Sequence, residues 1–353
     1  MDNLTRGMVV RGALQALLDQ GVRGVTSNPT IFAKAMGAGS DYDEQFHGLI
    51  TVHPVEDAYW ELVLRDITDA ADVLRPLHEE SGGGDGFVSI EVAPAIAADT
   101  EATVRAARWL NQRVGRPNLL VKIPATVAGV AAVERCAAAG VSVNVTLIFG
   151  LARYEEVIEA WLTGLERRDG DVSGVHGVAS FFVSRVDAMV DQRLEAVGTP
   201  EALARRGTVA VAQAKLAYQL FRQRFAGPRW EQLRARGATL QRPLWASTST
   251  KNPAYPDLLY VDSLIGPDTV NTMPDATLAA FADHGRLART VDAEVDEAQA
   301  TLDRVAEVGV DMDDVARVLE EQGVAAFADS YDSALAALAE KAPPGASRGR
   351  PTA

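Results

Sequence analysis

The sequence predicts an α/β protein whose parallel strands close into a single (β/α)8 TIM barrel. Short β-rich runs alternate with helical patterns along most of the chain. Seven runs and a fragment at "MDNL" make eight, the number of strands in an α/β barrel. A doubly wound open sheet is the competing architecture. We expect one barrel domain over residues 1–340 and a disordered tail over residues 341–353, which are rich in Pro, Gly and Arg.

The predicted strands share β-branched and aromatic residues bounded by turn residues. They are "GVRGVTSN", "FVSIEVA", "NLLVKIP", "VSVNVTLIF", "GVASFFVSR", "PLWAST" and "TVNTMP". Between two of them, six apolar residues recur at the spacing of one buried helix face: Tyr154, Val157, Ile158, Trp161, Leu162 and Leu165. Asp99 and Thr199 precede helical patterns as predicted N-caps, the second followed by Pro200.

Composition and charge restrict the classes of partner. The chain is 47% hydrophobic and 23% charged, which is typical of a folded globular protein. Its net charge of -14 argues against nucleic acid or an anionic membrane as a partner, because both require basic surfaces. The single cysteine, Cys136, lies in an alanine-rich helical pattern and is interpreted as a small buried residue. With neither a secretory signal nor a membrane-length apolar run, the sequence predicts a cytoplasmic location.

The common cofactor motifs are missing. "GAGSDY" lacks the last glycine of a dinucleotide fingerprint, and "SGGGDGF" lacks the Lys-Ser/Thr pair of a phosphate-binding loop. None of the five histidines pairs with another at helical metal-ligand spacing. We therefore expect neither a metal nor an organic cofactor.

Polar side chains stand near the ends of the predicted strands, where barrel enzymes place their active sites. They are Asn28, Glu91, Lys122, Asn144, Thr146, Ser180, Ser184, Arg185, Ser247 and Lys251. Each has a structural alternative. Asn28 can cap the helix that Pro29 begins, the hydroxyls can satisfy buried backbone groups, and Arg185 can form an ion pair. Lys122 and Glu91 can likewise be a buried structural pair.

Lys122 is the most informative of these residues, because only it among five lysines lies inside an apolar strand. Burial disfavours an ammonium group and favours the free amine, which attacks carbonyl carbons. The resulting Schiff base permits cleavage of a carbon-carbon bond and requires a general acid/base. Glu91 is the candidate for that role.

Six segments together resemble the transaldolase family. They are "GVTSNPTIF", "SIEVAP", "LLVKIPATVAG", "VNVTLIF", "ASFFVSRVD" and "WASTSTKNP". The form with "WASTSTKNPAYPD" and "DTVNTMP" is similar to bacterial transaldolases that also occur fused to a glucose-6-phosphate isomerase. The resemblance implies a barrel of the Schiff-base (class I) aldolase type that acts without a cofactor. It implies transfer of a dihydroxyacetone unit from sedoheptulose 7-phosphate to glyceraldehyde 3-phosphate, giving erythrose 4-phosphate and fructose 6-phosphate, in the non-oxidative pentose phosphate pathway.

The resemblance also implies residue roles. Lys122 matches the Schiff-base lysine, and Glu91 matches the acid/base, working through a water held with Thr146. Asn28 and Ser180 match residues that hold substrate hydroxyls. The phosphate site matches Arg185 and Ser247.

Two departures from the family pattern concern the phosphate site and the first strand. The second phosphate arginine falls within "TSTKN", so either Lys251 substitutes for it or the loop differs. A catalytic aspartate matches Asp2, which only Met1 precedes, so the first strand is expected to be truncated. An unpaired strand edge invites association, which leaves a homo-oligomer open.

Two other functions remain open from the sequence. One is a related Schiff-base aldolase that cleaves a sugar phosphate without transfer. The other is a non-catalytic barrel that binds sugar phosphates.

Overall fold

The structure is a computed structural model that describes residues 1–343. Its last helix ends at Lys341, and residues 344–353 lie outside the described residues, so most of the predicted tail cannot be compared with it. The prediction of a single domain over residues 1–340 stays a prediction.

All seven complete predicted strands are present. They are β1 (Gly24–Thr26), β2 (Phe87–Glu91), β3 (Leu119–Pro124), β4 (Val143–Ile148), β5 (Gly177–Phe182), β6 (Gln241–Ala246) and β7 (Val270–Asn271). The strands follow one another in chain order, with parallel pairing. A doubly wound sheet reverses its strand order at a switch point, so this order contradicts that alternative.

Residues 1–343 contain sixteen α-helices, which precede, connect or follow the strands. They are α1 (Arg6–Val10), α2 (Ala13–Asp19), α3 (Pro29–Gly37), α4 (Asp43–Leu49), α5 (Val55–Glu80), α6 (Thr100–Val114), α7 (Val127–Ala138), α8 (Leu151–Arg167), α9 (Ser184–Val197), α10 (Pro200–Leu203), α11 (Val209–Arg224), α12 (Gly227–Ala235), α13 (Leu259–Asp262), α14 (Asp275–His284), α15 (Val295–Glu307) and α16 (Met312–Lys341). None of the described helices is long and apolar enough to cross a membrane.

The predicted eighth strand at "MDNL" is reduced to one residue. Met1 donates its terminal amine to Gly24 O at 2.9 Å and accepts from Thr26 N at 2.9 Å, which is the hydrogen-bond pattern of a parallel neighbour. No strand is assigned to residues 1–4, because Thr5 already caps α1 by accepting a hydrogen bond from Met8 N. The described residues thus contain seven assigned strands and a one-residue remnant of the first strand, which agrees with the expected truncation.

The described chain divides into two compact units, and the boundary falls within β3. The first unit comprises Met1–Ile96, Arg105–Lys122 and the chain from Val324 onward, and the second comprises Ala97–Val104 and Ile123–Gly323. The first therefore holds β1, β2 and the start of β3, and the second holds β4 to β7.

The core of the first unit forms where α5 packs on β2. Val63, Ile67 and Ala70 of α5 are buried, at the three-and-four spacing of an amphipathic helix. A polar network crosses the same helix: Asp66 accepts from Arg6 Nε and from Tyr42 OH, both at 2.8 Å. Because Asp66 is buried, these two donors replace the water that its carboxylate loses.

In the second unit, α7 and α8 pack closely against each other. All six predicted face residues of α8 are buried, and Cys136 is buried in α7, which confirms both predictions. Gly129 in the first turn of α7 has no room for a side chain, since an added Cβ would lie 1.9 Å from Pro124 O. The predicted caps are also confirmed: Asp99 accepts from Ala102 N at 2.9 Å, and Thr199 accepts from Ala202 N at 3.2 Å.

Candidate active site

Glu91 and Lys122 lie side by side on neighbouring strands of the first unit. They are register partners in the parallel β2–β3 pair, so their side chains point to the same face. Lys122 Nζ lies 3.2 Å from Glu91 Oε2, and the two side chains are only 6% and 3% exposed. The parallel register therefore turns two residues that are 31 positions apart into a buried ion pair.

Burial dominates the electrostatics of Glu91. It raises the pKa of the Glu91 carboxyl above its usual range, and the positive charge of Lys122 opposes this rise. The negative charge of Asp2 adds to it. A glutamate of this kind holds its proton to a higher pH than an exposed one, which suits a group that must give and take protons near neutrality.

Two further groups surround the lysine nitrogen. Lys122 Nζ donates to Ser27 O, one residue beyond β1, at 3.2 Å. The ring of Phe327 on α16 has its centroid 5.8 Å from Nζ, within the range of a cation–π contact. Neither group was predicted from the sequence, because a backbone carbonyl has no residue signature and Phe327 lies more than 200 residues from Lys122 along the chain.

Asp2 and Asn28 flank the end of β1. Asp2 accepts a hydrogen bond from Thr26 Oγ1 at 3.1 Å, which holds its carboxylate beside the strand. Asn28 caps α3: its Oδ1 accepts from Ile31 N at 3.0 Å, and Pro29 occupies the first helical position. The structural alternative for Asn28 is thus observed, and it uses only the amide oxygen. The Nδ2 group is a separate donor.

A small cavity adjoins Glu91 in the same unit. Asn28, Tyr59, Glu91 and Tyr331 contribute to its wall. The two tyrosine rings pack edge to face with their centroids 5.1 Å apart, and Tyr331 OH donates to Glu56 Oε1 at 2.8 Å. Burial, and secondarily the charge of Glu91, raise the pKa of Tyr59, so its hydroxyl stays protonated. Neither tyrosine was predicted, since an isolated aromatic residue in a helix carries no site signal.

The second unit brings together the predicted polar residues of β4 and β5. Ser180 Oγ donates to Asn144 Oδ1 at 2.7 Å, and both residues are buried. Thr146 Oγ1 is buried and has no hydrogen-bond partner among residues 1–343. A buried hydroxyl without a partner is costly in a packed core and is common at functional sites. The next residue, Leu147, has a φ of 61°, an outlier for a leucine.

Ser184, Arg185 and Ser247 also lie together in the second unit. Ser247 follows β6 with a left-handed φ of 56°, and its carbonyl accepts from Ser184 N at 3.0 Å. The two serine hydroxyls are 3.0 Å apart. Arg185 is in the first turn of α9, with its guanidinium 5.4 Å from the centroid of the Phe182 ring. A helix start with hydroxyls and a guanidinium is a favourable place for an anion.

Lys251 lies a few residues beyond Ser247, in the loop after β6. It is exposed, and its Nζ donates to Ser249 Oγ at 2.7 Å. The structure therefore has a lysine ammonium group in the segment for which the sequence resemblance implied an arginine.

These features define a class of protein. It is an α/β protein of parallel strands in chain order, with a buried lysine beside a buried glutamate on adjacent strands. Such an arrangement is chemically suited to Schiff-base formation with a carbonyl compound.

Comparison with known proteins gives the family. The model of the transaldolase/fructose-6-phosphate aldolase family matches residues 1–338. A transaldolase of Parafrankia sp. (strain EAN1pec) is 51% identical over 347 residues, covering 97% of this chain and 94% of that protein. The transaldolase of Thermobifida fusca is 50% identical with the same coverage, and transaldolase 2 of Streptomyces coelicolor is 48% identical over 95% of this chain and 92% of its own. The chain belongs to the transaldolase/fructose-6-phosphate aldolase family.

The family result confirms the resemblance found in the sequence and the predicted fold class, the α/β barrel of the Schiff-base aldolase type.

Proposed function

We propose that this protein is a transaldolase that transfers a dihydroxyacetone unit between sugar phosphates through a Schiff base on Lys122. The observation that carries the proposal is the buried Glu91–Lys122 pair, with 3.2 Å between its charged atoms. Lys122, the proposed nucleophile, is the register partner of Glu91, the proposed acid/base group. Relatives that are about half identical over nearly the whole chain bear the name transaldolase, which supports the same reaction.

The chemistry begins when the Lys122 amine attacks the ketone carbon of the donor sugar phosphate. Glu91 supplies the proton with which the carbinolamine hydroxyl leaves as water, and the iminium forms. Removal of a proton from the donor hydroxyl whose carbon becomes the aldehyde then breaks the carbon-carbon bond and releases an aldose phosphate. We propose that the Asp2 carboxylate, which Thr26 orients, accepts this proton. The remaining three-carbon enamine attacks an acceptor aldehyde, and hydrolysis frees Lys122.

Substrate binding falls to the other predicted residues. The Asn28 amide nitrogen and the Ser180 hydroxyl are proposed to bind substrate hydroxyls, and Thr146 to position a water. Arg185, Ser247 and Lys251 are proposed to bind the phosphate. Lys251 contributes a point charge where an arginine would offer a planar fork, and both bind phosphate.

The proposal extends to partners and location. Sugar phosphates are the expected ligands, and the net charge of -14 supports the absence of a nucleic-acid or anionic-membrane partner. A cytoplasmic location suits such an enzyme.

The test is borohydride trapping with fructose 6-phosphate, followed by peptide mapping. We expect a reduced three-carbon adduct on the peptide that contains Lys122, and none in Lys122→Met. Lys215→Met is the matched control, because Lys215 is also buried but lies on α11 and donates to Ala293 O. An unmodified Lys122 in the folded wild-type protein would contradict the proposal and favour the sugar-phosphate-binding barrel.

The related aldolase function is separated by a second assay. With fructose 6-phosphate alone, an aldolase releases free dihydroxyacetone continuously. A transaldolase retains the three-carbon unit until an acceptor aldehyde is added, so its turnover depends on the acceptor.

A further inference from the structure

The loop after β6 carries Ser247 and Lys251, two of the residues proposed to bind phosphate. Thr250 Oγ1 stabilises this loop by donating to Pro256 O at 2.8 Å and to Asp257 O at 3.1 Å. Lys251 is exposed, and its Nζ donates to Ser249 Oγ of the same loop at 2.7 Å. The position of its ammonium group therefore depends on what anchors the loop.

Two tyrosine–aspartate hydrogen bonds anchor the loop and the short helix after it to α9. Tyr255 OH donates to Asp191 Oδ2 at 2.6 Å, and Tyr260 OH donates to Asp187 Oδ2 at 2.9 Å. Asp187 and Asp191 are four residues apart and so lie one above the other on one helix face. Arg185 is in the first turn of the same helix.

The second oxygen of each aspartate is also bonded. Ala210 N donates to Asp187 Oδ1 at 2.7 Å, and Gly207 N donates to Asp191 Oδ1 at 2.9 Å. The Asp191 carboxylate thus links Tyr255 to the backbone just before α11, and the Asp187 carboxylate links Tyr260 to the start of α11. Hydrogen bonds to a carboxylate are stronger than neutral ones, so the two bridges are stiff.

Close packing adds to this anchoring. The ring of Tyr255 lies against Gly207, where an added Cβ would come within 2.7 Å of Tyr255 Cζ. Gly207 also has a φ of 71°, which suits glycine. Tyr260 is buried, and so is Asp187. The loop is therefore held by packing against the segment before α11 as well as by hydrogen bonds to α9.

We propose that the Asp191–Tyr255 and Asp187–Tyr260 bridges are a positioning clamp that sets the spacing between Arg185 and Lys251. Through that spacing they determine how strongly the enzyme prefers a phosphorylated donor. This inference rests on the proposed function, because it assumes that both cations bind the substrate phosphate. The clamp residues act through Arg185 and Lys251 and do not touch the reacting atoms.

The test compares fructose 6-phosphate with fructose as the donor in Tyr255→Phe, which removes one hydroxyl and keeps the ring. We expect KM for fructose 6-phosphate to rise about tenfold with kcat within about twofold, the size expected for losing one charged contact. The ratio of kcat/KM for fructose 6-phosphate to that for fructose should fall by a similar factor. Tyr260→Phe should act in the same direction.

Tyr218→Phe is the matched control, since Tyr218 OH donates to Pro267 O at 3.1 Å from α11, outside the clamp. It should leave the donor ratio unchanged. Asp191→Asn, which weakens the same bridge from the other side, should reproduce the Tyr255→Phe effect.

The outcomes separate this inference from the proposed function. An active wild type whose donor ratio is the same in all the clamp variants would overturn the clamp and leave the transaldolase proposal standing. Equal losses with both donors would also overturn it, because they indicate a general structural role. A wild type without transfer activity would overturn both.

Discussion

Glu91 and Lys122 are register partners on adjacent parallel strands, and their charged atoms lie 3.2 Å apart inside the first unit. Neither residue is accessible enough for solvent to stabilise its charge, so each depends on the other. This mutual dependence makes the pair the first place to test the proposed chemistry.

Replacing Glu91 by Gln should remove proton transfer while keeping the size of the side chain. We expect kcat for transfer to fall by roughly 10² to 10⁴, the usual contribution of a general acid/base. Steady-state kinetics measure this. Glu101→Gln is the control, because Glu101 is exposed and pairs with Arg135 on the surface. A Glu91→Gln enzyme that keeps kcat within threefold would remove Glu91 from the mechanism.

Replacing Phe327 by Leu should lower the amount of Schiff base at equilibrium. The ring face stabilises a positive charge at Nζ, so it favours the cationic iminium over the neutral amine that attacks the ketone. Losing about 1 kcal/mol of cation–π attraction corresponds to roughly a fivefold smaller trapped fraction at limiting donor. The yield of the borohydride-trapped adduct, measured as a function of donor concentration, gives this fraction. Phe221→Leu, another buried phenylalanine, controls for lost packing, and equal yields in both variants would contradict the role of the ring.

Asp187 should make stability depend on pH. Burial raises the pKa of Asp187 to about 6 in the folded protein, against about 3.9 for an ordinary aspartate. The folded state binds this proton more tightly than the unfolded state does. The stabilisation that the protonated Asp187 contributes is therefore complete below about pH 4 and is lost as the pH rises through about 6. Compared with Asp187→Asn, the wild type should gain about 1.4 kcal/mol of unfolding free energy between pH 8 and pH 5.

Urea denaturation at both pH values measures this change for Asp187. Asp169→Asn, on the exposed surface, is the reference variant. A difference between wild type and Asp187→Asn that is constant with pH would show that the Asp187 carboxyl does not titrate in this window.

The Arg6–Asp66–Tyr42 network should be important for the stability of the first unit. Arg6→Met leaves the buried Asp66 carboxylate without its cation and should lower the unfolding free energy by about 3–5 kcal/mol. Tyr42→Phe removes one hydrogen bond to the same carboxylate and should cost about 1–3 kcal/mol.

Thermal or urea unfolding checks the effects of both network substitutions. Arg11→Met breaks the exposed Arg11–Asp41 pair and should cost less than about 1 kcal/mol. Similar losses in Arg6→Met and Arg11→Met would mean that the buried network has no special importance.

Much of the fold could be predicted because its signals are local. Apolar runs with turn residues on both sides placed all seven strands, and single cap residues such as Asp99 and Thr199 placed helix starts. At "MDNL" only Met1 pairs with β1, because the Thr5 cap begins α1 directly after this segment. Local helix capping therefore limits the first strand to the expected fragment.

The candidate site could be predicted only in part. Lys122 and Glu91 were recognised because charged groups stand out in apolar strands. Ser27, Tyr59 and Phe327 were not, because a carbonyl oxygen and two aromatic rings look ordinary until folding brings them to the pair. The tyrosine–aspartate bridges of α9 were missed for the same reason.

The sequence by itself determined the order of strands and helices, the lysine at the centre of the proposed chemistry and the family, since these depend on residue type and local spacing. Only the tertiary structure decided that Glu91 stands opposite Lys122, that Phe327 approaches the same nitrogen, and that Asp187 and Asp191 hold the loop of Lys251. Strand register and long-range packing set those distances, and both are properties of the folded chain that no local pattern encodes.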